Sequence, residues 1–233
     1  MKKLFAILLV FCLMTGCSAQ PQETSAAPAQ PQDTAAAPVE VSYPEIPAAA
    51  LDDMTYATQE NQDIRVSYPL DMLTPDTEVY PMTFYLNDSL ETDFFANINI
   101  QKSIEFPGVL DESALEEFME AFGAQYAASG MTITLSELRT LHGQPVIYLE
   151  AVTQITDTVI DIMIEQGILT EEYIESIGGR DILKALPPTY NTGIYGVVDS
   201  HIAMYTASYQ DEAHRQPLID VMTVLFSNTE ILG

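Results

Sequence analysis

Residues 51–233 predict an α+β fold, an antiparallel sheet packed by helices, and three observations carry that prediction. First, Ala96, Ile98 and Ile100 alternate with Asn97, Asn99 and Gln101, and Met131, Ile133 and Leu135 alternate with Thr132, Thr134 and Ser136. A period of two is that of a sheet with one buried face. Second, apolar residues recur three and four apart at Leu115, Phe118, Met119, Phe122 and Tyr126, and again at Leu218, Val221, Met222 and Leu225. That spacing makes a helix with one packed stripe. Third, short polar turns join apolar runs in the manner of hairpins.

In chain order, Tyr56 to Thr58 and Asp63 to Tyr68 flank Glu60-Asn61-Gln62 as a hairpin, and Met82 to Leu86 reads as a short strand. Phe94 to Ile104 is the longer alternating strand. Ser113-Ala-Leu-Glu116 has the spacing of a capping box, which opens the helix carrying Leu115 to Tyr126. Gly130 closes that helix, because glycine adopts positive φ without steric cost. Met131 to Ser136 is a strand, and a turn at Leu141-His142-Gly143-Gln144 leads into another from Pro145 to Val152. A last hairpin pairs Gly193 to Val198 with His201 to Tyr209 about Asp199-Ser200. Pro217 suits the first turn of a final helix, where a missing N–H does no harm.

The N-terminus predicts where the chain resides. Lys2 and Lys3 precede an apolar run of 11 residues, Leu4 to Met14. That run is shorter than the roughly 20 residues a membrane span needs, but it suits a secretory signal. Leu13-Met14-Thr15-Gly16-Cys17 follows and resembles the lipobox of bacterial lipoproteins, with Met14 standing where leucine is usual. The resemblance implies cleavage after Gly16 and acylation of Cys17, with residues 1–16 as the signal peptide. More than one acyl chain makes such an anchor stable. Cys12 leaves with the signal, so the mature chain keeps one cysteine and the fold can hold no disulfide.

Residues 17–50 read as the lipidated cysteine and a tether. Within 18–50 lie 6 of the 14 prolines and 10 alanines, and AQPQETSAAP at 19–28 is echoed by AQPQDTAAAP at 29–38. So few bulky apolar side chains cannot offset chain entropy, which predicts an extended, solvated spacer. Fully extended, at about 3.1 Å per residue, it reaches roughly 100 Å.

The order of elements from 51 onward resembles the PsbP-like fold. That fold is shared by the extrinsic protein of the photosynthetic oxygen-evolving complex, a yeast nuclear-import factor that binds a small GTPase, and many bacterial lipoproteins. Ile64-Arg-Val-Ser-Tyr-Pro69, Ala96-Asn-Ile-Asn-Ile100, Leu141-His-Gly-Gln-Pro145 and the closing hairpin and helix ending Leu225-Phe226-Ser227 carry the resemblance. It spans about 55–155 and 190–230. It implies a fold and no particular function, since that fold hosts unrelated binding roles.

Between the strands at 145–152 and 193–198 lies an insertion near 155–190. Thr158 to Gln166, Thr170 to Ile177 and Arg180 to Leu186 read as short helices punctuated by Gly167, Gly178 and Gly179. Val159 to Ile164 is also compatible with a strand, though the insertion is expected to be helical. Ile160, Met163, Ile164, Tyr173 and Ile174 make it apolar, and long insertions often carry function, so these five are the candidate binding surface.

Catalytic signals are weak. Asp199-Ser200-His201 has the residue types of a hydrolase triad, but neighbours on a strand point to opposite faces, and no G-x-S-x-G elbow occurs. Asp199-Ser200 reads as a turn. His142, His201 and His214 have no paired metal-ligand spacing. Asn87-Asp88-Ser-Leu-Glu91-Thr-Asp93 groups oxygen donors of the kind calcium takes, making Asp88, Glu91 and Asp93 the candidate metal ligands. The EF-hand pattern is absent, and a solvated hairpin loop is the simpler reading. No other cofactor is indicated, and the expectation is that the chain is not an enzyme.

The net charge is −26, from 8 Lys+Arg against 34 Asp+Glu, and loss of Lys2 and Lys3 leaves 6 basic residues. Such a surface excludes binding to nucleic acid, which needs basic side chains to neutralise phosphates. Electrostatic attraction to anionic lipid is excluded likewise. Attachment to the bilayer would run through the acylated Cys17. The expected function is that of a lipid-anchored, extracytoplasmic lipoprotein of a bacterial membrane, a non-enzymatic module binding a protein or envelope component. The alternative is a small-molecule or cation-binding module serving a membrane transporter, favoured by the acidic surface.

Overall fold

The computed structural model describes residues 42–51, 53–76, 81–90, 95–165 and 167–232. The lipobox residues Gly16 and Cys17, and the tether up to residue 41, lie outside them. Among the described residues no helix is long and apolar enough to cross a membrane.

The fold is α+β, as the sequence predicts. Among the described residues, ten strands and six α-helices run in the order β1 (Tyr56–Glu60), β2 (Ile64–Pro69), β3 (Leu73–Asp76), β4 (Met82–Leu86), α1 (Asn87–Leu90), β5 (Ala96–Glu105), α2 (Glu112–Ala128) and β6 (Met131–Leu141). There follow β7 (Gln144–Thr153), α3 (Asp157–Glu165), α4 (Glu171–Ser176), α5 (Arg180–Lys184), β8 (Thr189–Val198), β9 (His201–Tyr209), α6 (Arg215–Ser227) and β10 (Thr229–Ile231). Seven strands form one antiparallel sheet in the order β3-β4-β5-β9-β8-β7-β6. A second sheet, β1-β2-β10, is also antiparallel.

Each face of the large sheet carries its own core. On one face, Phe84, Ile98, Ile100, Tyr148, Ile194 and Tyr205 pack against Leu218, Val221, Met222 and Leu225 of α6 and against Ile64 and Val66 of β2. On the other, Leu138, Ile147, Leu149 and Tyr195 pack beneath Leu115, Phe118, Met119, Phe122 and Tyr126 of α2. The helical stripes read from sequence therefore face the sheet as expected.

Several local expectations are corrected. The cap of α2 is Asp111, whose Oδ1 accepts from the Ala114 N–H at 2.9 Å; Ser113 lies inside the helix. In β6 the register shifts between Ile133 and Leu135, so Thr134 is an extra, bulged residue. Ile133 thus packs with the α2-side core and Leu135 with the α6-side core, and the simple alternation of 131–136 breaks. β5 does not have one wet face at its start, since Asn97 and Asn99 are as buried as the isoleucines beside them. β3 and β10 were not legible: one is a short edge strand containing Pro75, the other has only three residues, too few to show a period.

The chain is also docked earlier than residue 51. Ile46 N–H donates to the Thr140 carbonyl at 3.0 Å, Thr140 N–H donates to the Pro44 carbonyl at 2.8 Å, and Ile46 is buried in the α6-side core. This strap runs parallel to the edge strand β6. It covers part of a backbone edge that would otherwise invite pairing with another chain.

Gly130 follows α2 with φ +78°, and a Cβ there would stand 2.2 Å from Val159 Cγ2. The left-handed turn and the seating of α3 against it both require glycine. The β8–β9 turn has no such residue: Asp199 (φ 47°) and Ser200 (φ 61°) both occupy left-handed backbone. A two-residue hairpin loop of this shape favours glycine at its second position. Ser200→Gly should therefore stabilise the domain by about 1 kcal/mol, keeping the backbone bond from Phe106 N–H to the residue-200 carbonyl. A thermal melt in which the variant unfolds below the wild type would contradict this.

Candidate functional site

Three features of the fold bear on function: the insertion, an ion-paired tyrosine on the α6 side of the sheet, and a polar stripe on the α2 side.

The insertion carries the three short helices α3, α4 and α5 joined by turns, and Val159 to Ile164 lies in α3, which resolves the strand-or-helix ambiguity there. Val159, Ile160, Met163, Leu169, Ile174 and Leu183 form a separate small core. Arg180 of α5 spans the unit, reaching Asp161 of α3 at 2.6 Å and Glu171 of α4 at 2.7 Å. Lys184 adds Asp157 at 3.2 Å. Of the five residues expected to form a binding surface, Ile160, Met163 and Ile174 are buried in this core, while Ile164 and Tyr173 are half-buried against it. What the insertion presents outward is Ile182, half exposed, and carboxylates such as Glu165, Glu172 and Glu175.

Its position follows from register. Thr153 and Thr189 are paired, so the insertion leaves and rejoins the sheet at the end where β7 stops and β8 starts. The strap from Tyr43 to Ile46 lies near the opposite end, level with Thr140 and close to the turns at 142–143 and 199–200. The chain therefore enters the sheet at one end and displays the insertion at the other.

On the α6 side, β7 places Tyr148 and Glu150 on the same face, two residues apart. The Tyr148 hydroxyl donates to Glu150 Oε1 at 2.7 Å, and Arg215, at the start of α6, pairs with the same carboxylate. Arg139 from β6 lies 3.8 Å above the Tyr148 ring centroid and also bonds Glu137 at 2.7 Å. Partial burial pushes the Glu150 carboxyl up, but hydrogen bonds from Arg215 and Tyr148 and the charges of both arginines outweigh it and hold it below its ordinary value. Burial raises Tyr148 well above the ordinary phenol range. A fully buried, non-ionising phenol with its ring capped by a guanidinium is a fastener between α6 and the sheet.

On the α2 side a stripe of hydroxyls and amides crosses β4, β5, β9 and β8. Thr83 Oγ1 donates to Asn99 Oδ1 at 2.7 Å, and Ser208 Oγ to Asn191 Oδ1 at 2.8 Å. Asn191 Nδ2 continues to Thr153 Oγ1 at 3.1 Å. Asn97 Oδ1 and Asn99 Nδ2 are buried without a hydrogen-bond partner. Leaving such a group unpaired costs about 1–3 kcal/mol.

The remaining sequence candidates are placed as follows. Asp88 is exposed on α1, and Glu91 and Asp93 lie outside the described residues. Asn87 beside it is used internally, accepting from Thr74 Oγ1 at 2.8 Å and donating to the Leu70 carbonyl at 3.1 Å. Among the described residues no three His, Cys, Asp or Glu side chains are grouped to hold a metal. In Asp199-Ser200-His201 the imidazole Nδ1 contacts the Asp199 carbonyl at 2.9 Å, and the Asp199 carboxylate accepts from the Ile231 N–H at 3.1 Å. These are the bonds of a hairpin turn tied to β10. His142 is exposed in its own turn, and His214 precedes α6.

The six basic residues from Arg65 onward are all engaged within the protein. Arg65 pairs with Glu60 and Glu230, and Arg139, Arg180, Lys184 and Arg215 are paired as above. Lys102 donates to the Leu232 carbonyl at 3.2 Å. The field the domain offers a partner is therefore that of its carboxylates.

No family model matches the chain, and no curated protein does. Solved structures similar to it include cyanobacterial PsbP (CyanoP) from Synechocystis sp. PCC 6803, at 12% identity and a TM-score of 0.38 over 79% of this chain and 97% of that one. The Ran-binding protein Mog1p of Saccharomyces cerevisiae matches at 7% identity and a TM-score of 0.40 over 77% and 97%. LpqN, involved in cell envelope biogenesis of Mycobacterium tuberculosis, matches at 10% identity and a TM-score of 0.39 over 80% and 99%. At these scores the likeness supplies no argument about function, which rests on this chain's own residues.

Proposed function

We propose that the chain is a lipid-anchored, extracytoplasmic, non-enzymatic binding module that engages a protein or envelope component through the insertion. The observation that carries this reading is positional: the insertion stands at the end of the sheet opposite the strap by which the chain enters. A tether ending at Cys17 would let the module hold that end away from the lipid. The insertion has its own core and ion pairs, which hold its three helices to one another. Its outward carboxylates favour a partner with a basic surface. Replacing Glu165, Glu172 and Glu175 with lysine should leave the melting transition in place and abolish crosslinking to that partner on intact cells. Unchanged crosslinking would sink this assignment.

A second reading, a small-molecule module serving a transporter, draws on two buried amide atoms without a hydrogen-bond partner, Asn97 Oδ1 and Asn99 Nδ2. The same purified protein separates the two, because a ligand specific for the folded state raises its melting temperature by mass action. A shift lost in Asn97→Leu and Asn99→Leu, with crosslinking indifferent to the lysine substitutions, would favour the ligand.

A further inference from the structure

We infer that the last residues of β5 and the loop joining it to α2 are a membrane-contact surface, the part of the folded domain that rests on the bilayer holding its anchor. This inference rests on the lipid-anchored reading above. Ile104 is 63% exposed and Val109 is 71% exposed, more than any other large apolar side chain among the described residues. Both belong to Ile104-Glu-Phe-Pro-Gly-Val-Leu110, where Pro107 and Gly108 are exposed as well.

The loop is held in shape. Phe106 N–H donates to the Ser200 carbonyl at 2.7 Å, a Cβ on Gly108 would stand 3.1 Å from the Phe106 ring, and Leu110 is buried in the α2-side core. Val109 is thus presented outward between Phe106 and Leu110, which pack on the α2-side core. Scattered apolar residues on a surface are ordinary, but two strongly exposed ones within one six-residue stretch are what a lipid interface accommodates.

The occupant is indicated by where the chain enters. Tyr43 packs against the same core as Phe106 and Leu110, its carbonyl accepts from Thr140 Oγ1 at 3.1 Å, and its phenol feels the carboxylates of Glu112 and Asp111, which follow the loop. The segment leading back to Cys17 therefore reaches the fold beside this loop, at the end of the sheet away from the insertion. Glu105, Asp111 and Glu112 flank the tip, so the contact is shallow, driven by apolar burial, and suited to a zwitterionic surface.

The chain contains no tryptophan, so a single introduced indole reports its own surroundings. The lipidated full chain would be prepared as Ile104→Trp, Val109→Trp and Ile182→Trp and bound to phosphatidylcholine vesicles with brominated acyl chains. With the anchored protein floating with the vesicles, the indoles at 104 and 109 should emit to the blue and be quenched, and the one at 182 should do neither. Flotation without quenching at 104 and 109 would overturn the loop assignment while leaving the anchor intact. Failure to float, or flotation undiminished in Cys17→Ala, would overturn the anchor and this inference with it.

Discussion

Gly196→Ala should destabilise the domain by about 2–3 kcal/mol, a large effect for one added methyl group. Gly196 lies in β8 on the face covered by α6, and a Cβ built there would stand 2.4 Å from Phe226 Cε2, 2.7 Å from its Cζ and 3.0 Å from Val146 Cγ1. Its backbone is ordinary, so the argument is purely one of packing. Phe226 cannot rotate freely aside, since its ring sits edge-on to Tyr205 with centroids 5.6 Å apart. The added methyl must push the end of α6 off the sheet or force the Phe226 ring from its rotamer. The check is a pair of urea titrations on Gly196→Ala and on Gly196→Ala with Phe226→Leu. The second substitution removes the obstructing ring, so the double variant should recover stability relative to the sum of the singles, with a coupling of about 1 kcal/mol or more. Strict additivity, or a single variant within about 0.5 kcal/mol of wild type, would mean that the α6 interface is loose.

How much of this was legible in the sequence depends on how local each signal is. The hairpin at 199–200, the strand at Met82–Leu86 and the three insertion helices were readable because period, turn chemistry and glycine punctuation act over a few residues. Asp111 was missed as the cap of α2 because Ser113 and Glu116 offered a competing motif two residues on. The bulge at Thr134 has no sequence signature of its own. The alternation of polarity makes Asn97 and Asn99 look solvent-facing, yet burial is decided by what the tertiary fold lays over a face. The Tyr148–Glu150–Arg215 fastener joins residues 65 and more apart, which no window could connect. The insertion's position was read correctly and its surface was not. An apolar helix that stands apart from the sheet must bury its apolar stripe in itself, and so Ile160, Met163 and Ile174 turned inward.

Glu150→Gln should lower stability at neutral pH by about 1–2 kcal/mol and flatten the acid limb of the stability curve. The carboxylate is partly exposed, so solvent screening discounts the several kcal/mol that breaking a fully buried pair would cost. It nevertheless gathers the Tyr148 hydroxyl and the Arg215 guanidinium, and glutamine keeps the shape while losing the charge. The Glu150 carboxyl is held below its ordinary value of 4.5 in the folded protein. Its contribution is therefore complete above that value and is lost as pH falls through the lower, folded-state pKa. The neutral variant has nothing to lose there, so wild type and Glu150→Gln should differ most at pH 7 and converge as the pH falls through the lowered folded-state value. Arg215→Met should act similarly at neutral pH. It also leaves the carboxylate without its main partner, so the Glu150 carboxyl should return toward or above its ordinary value. Urea titrations from pH 7 to pH 3 on the three proteins decide the matter. Parallel curves for wild type and Glu150→Gln throughout would show that the contact at the start of α6 contributes shape and no charge-dependent stability.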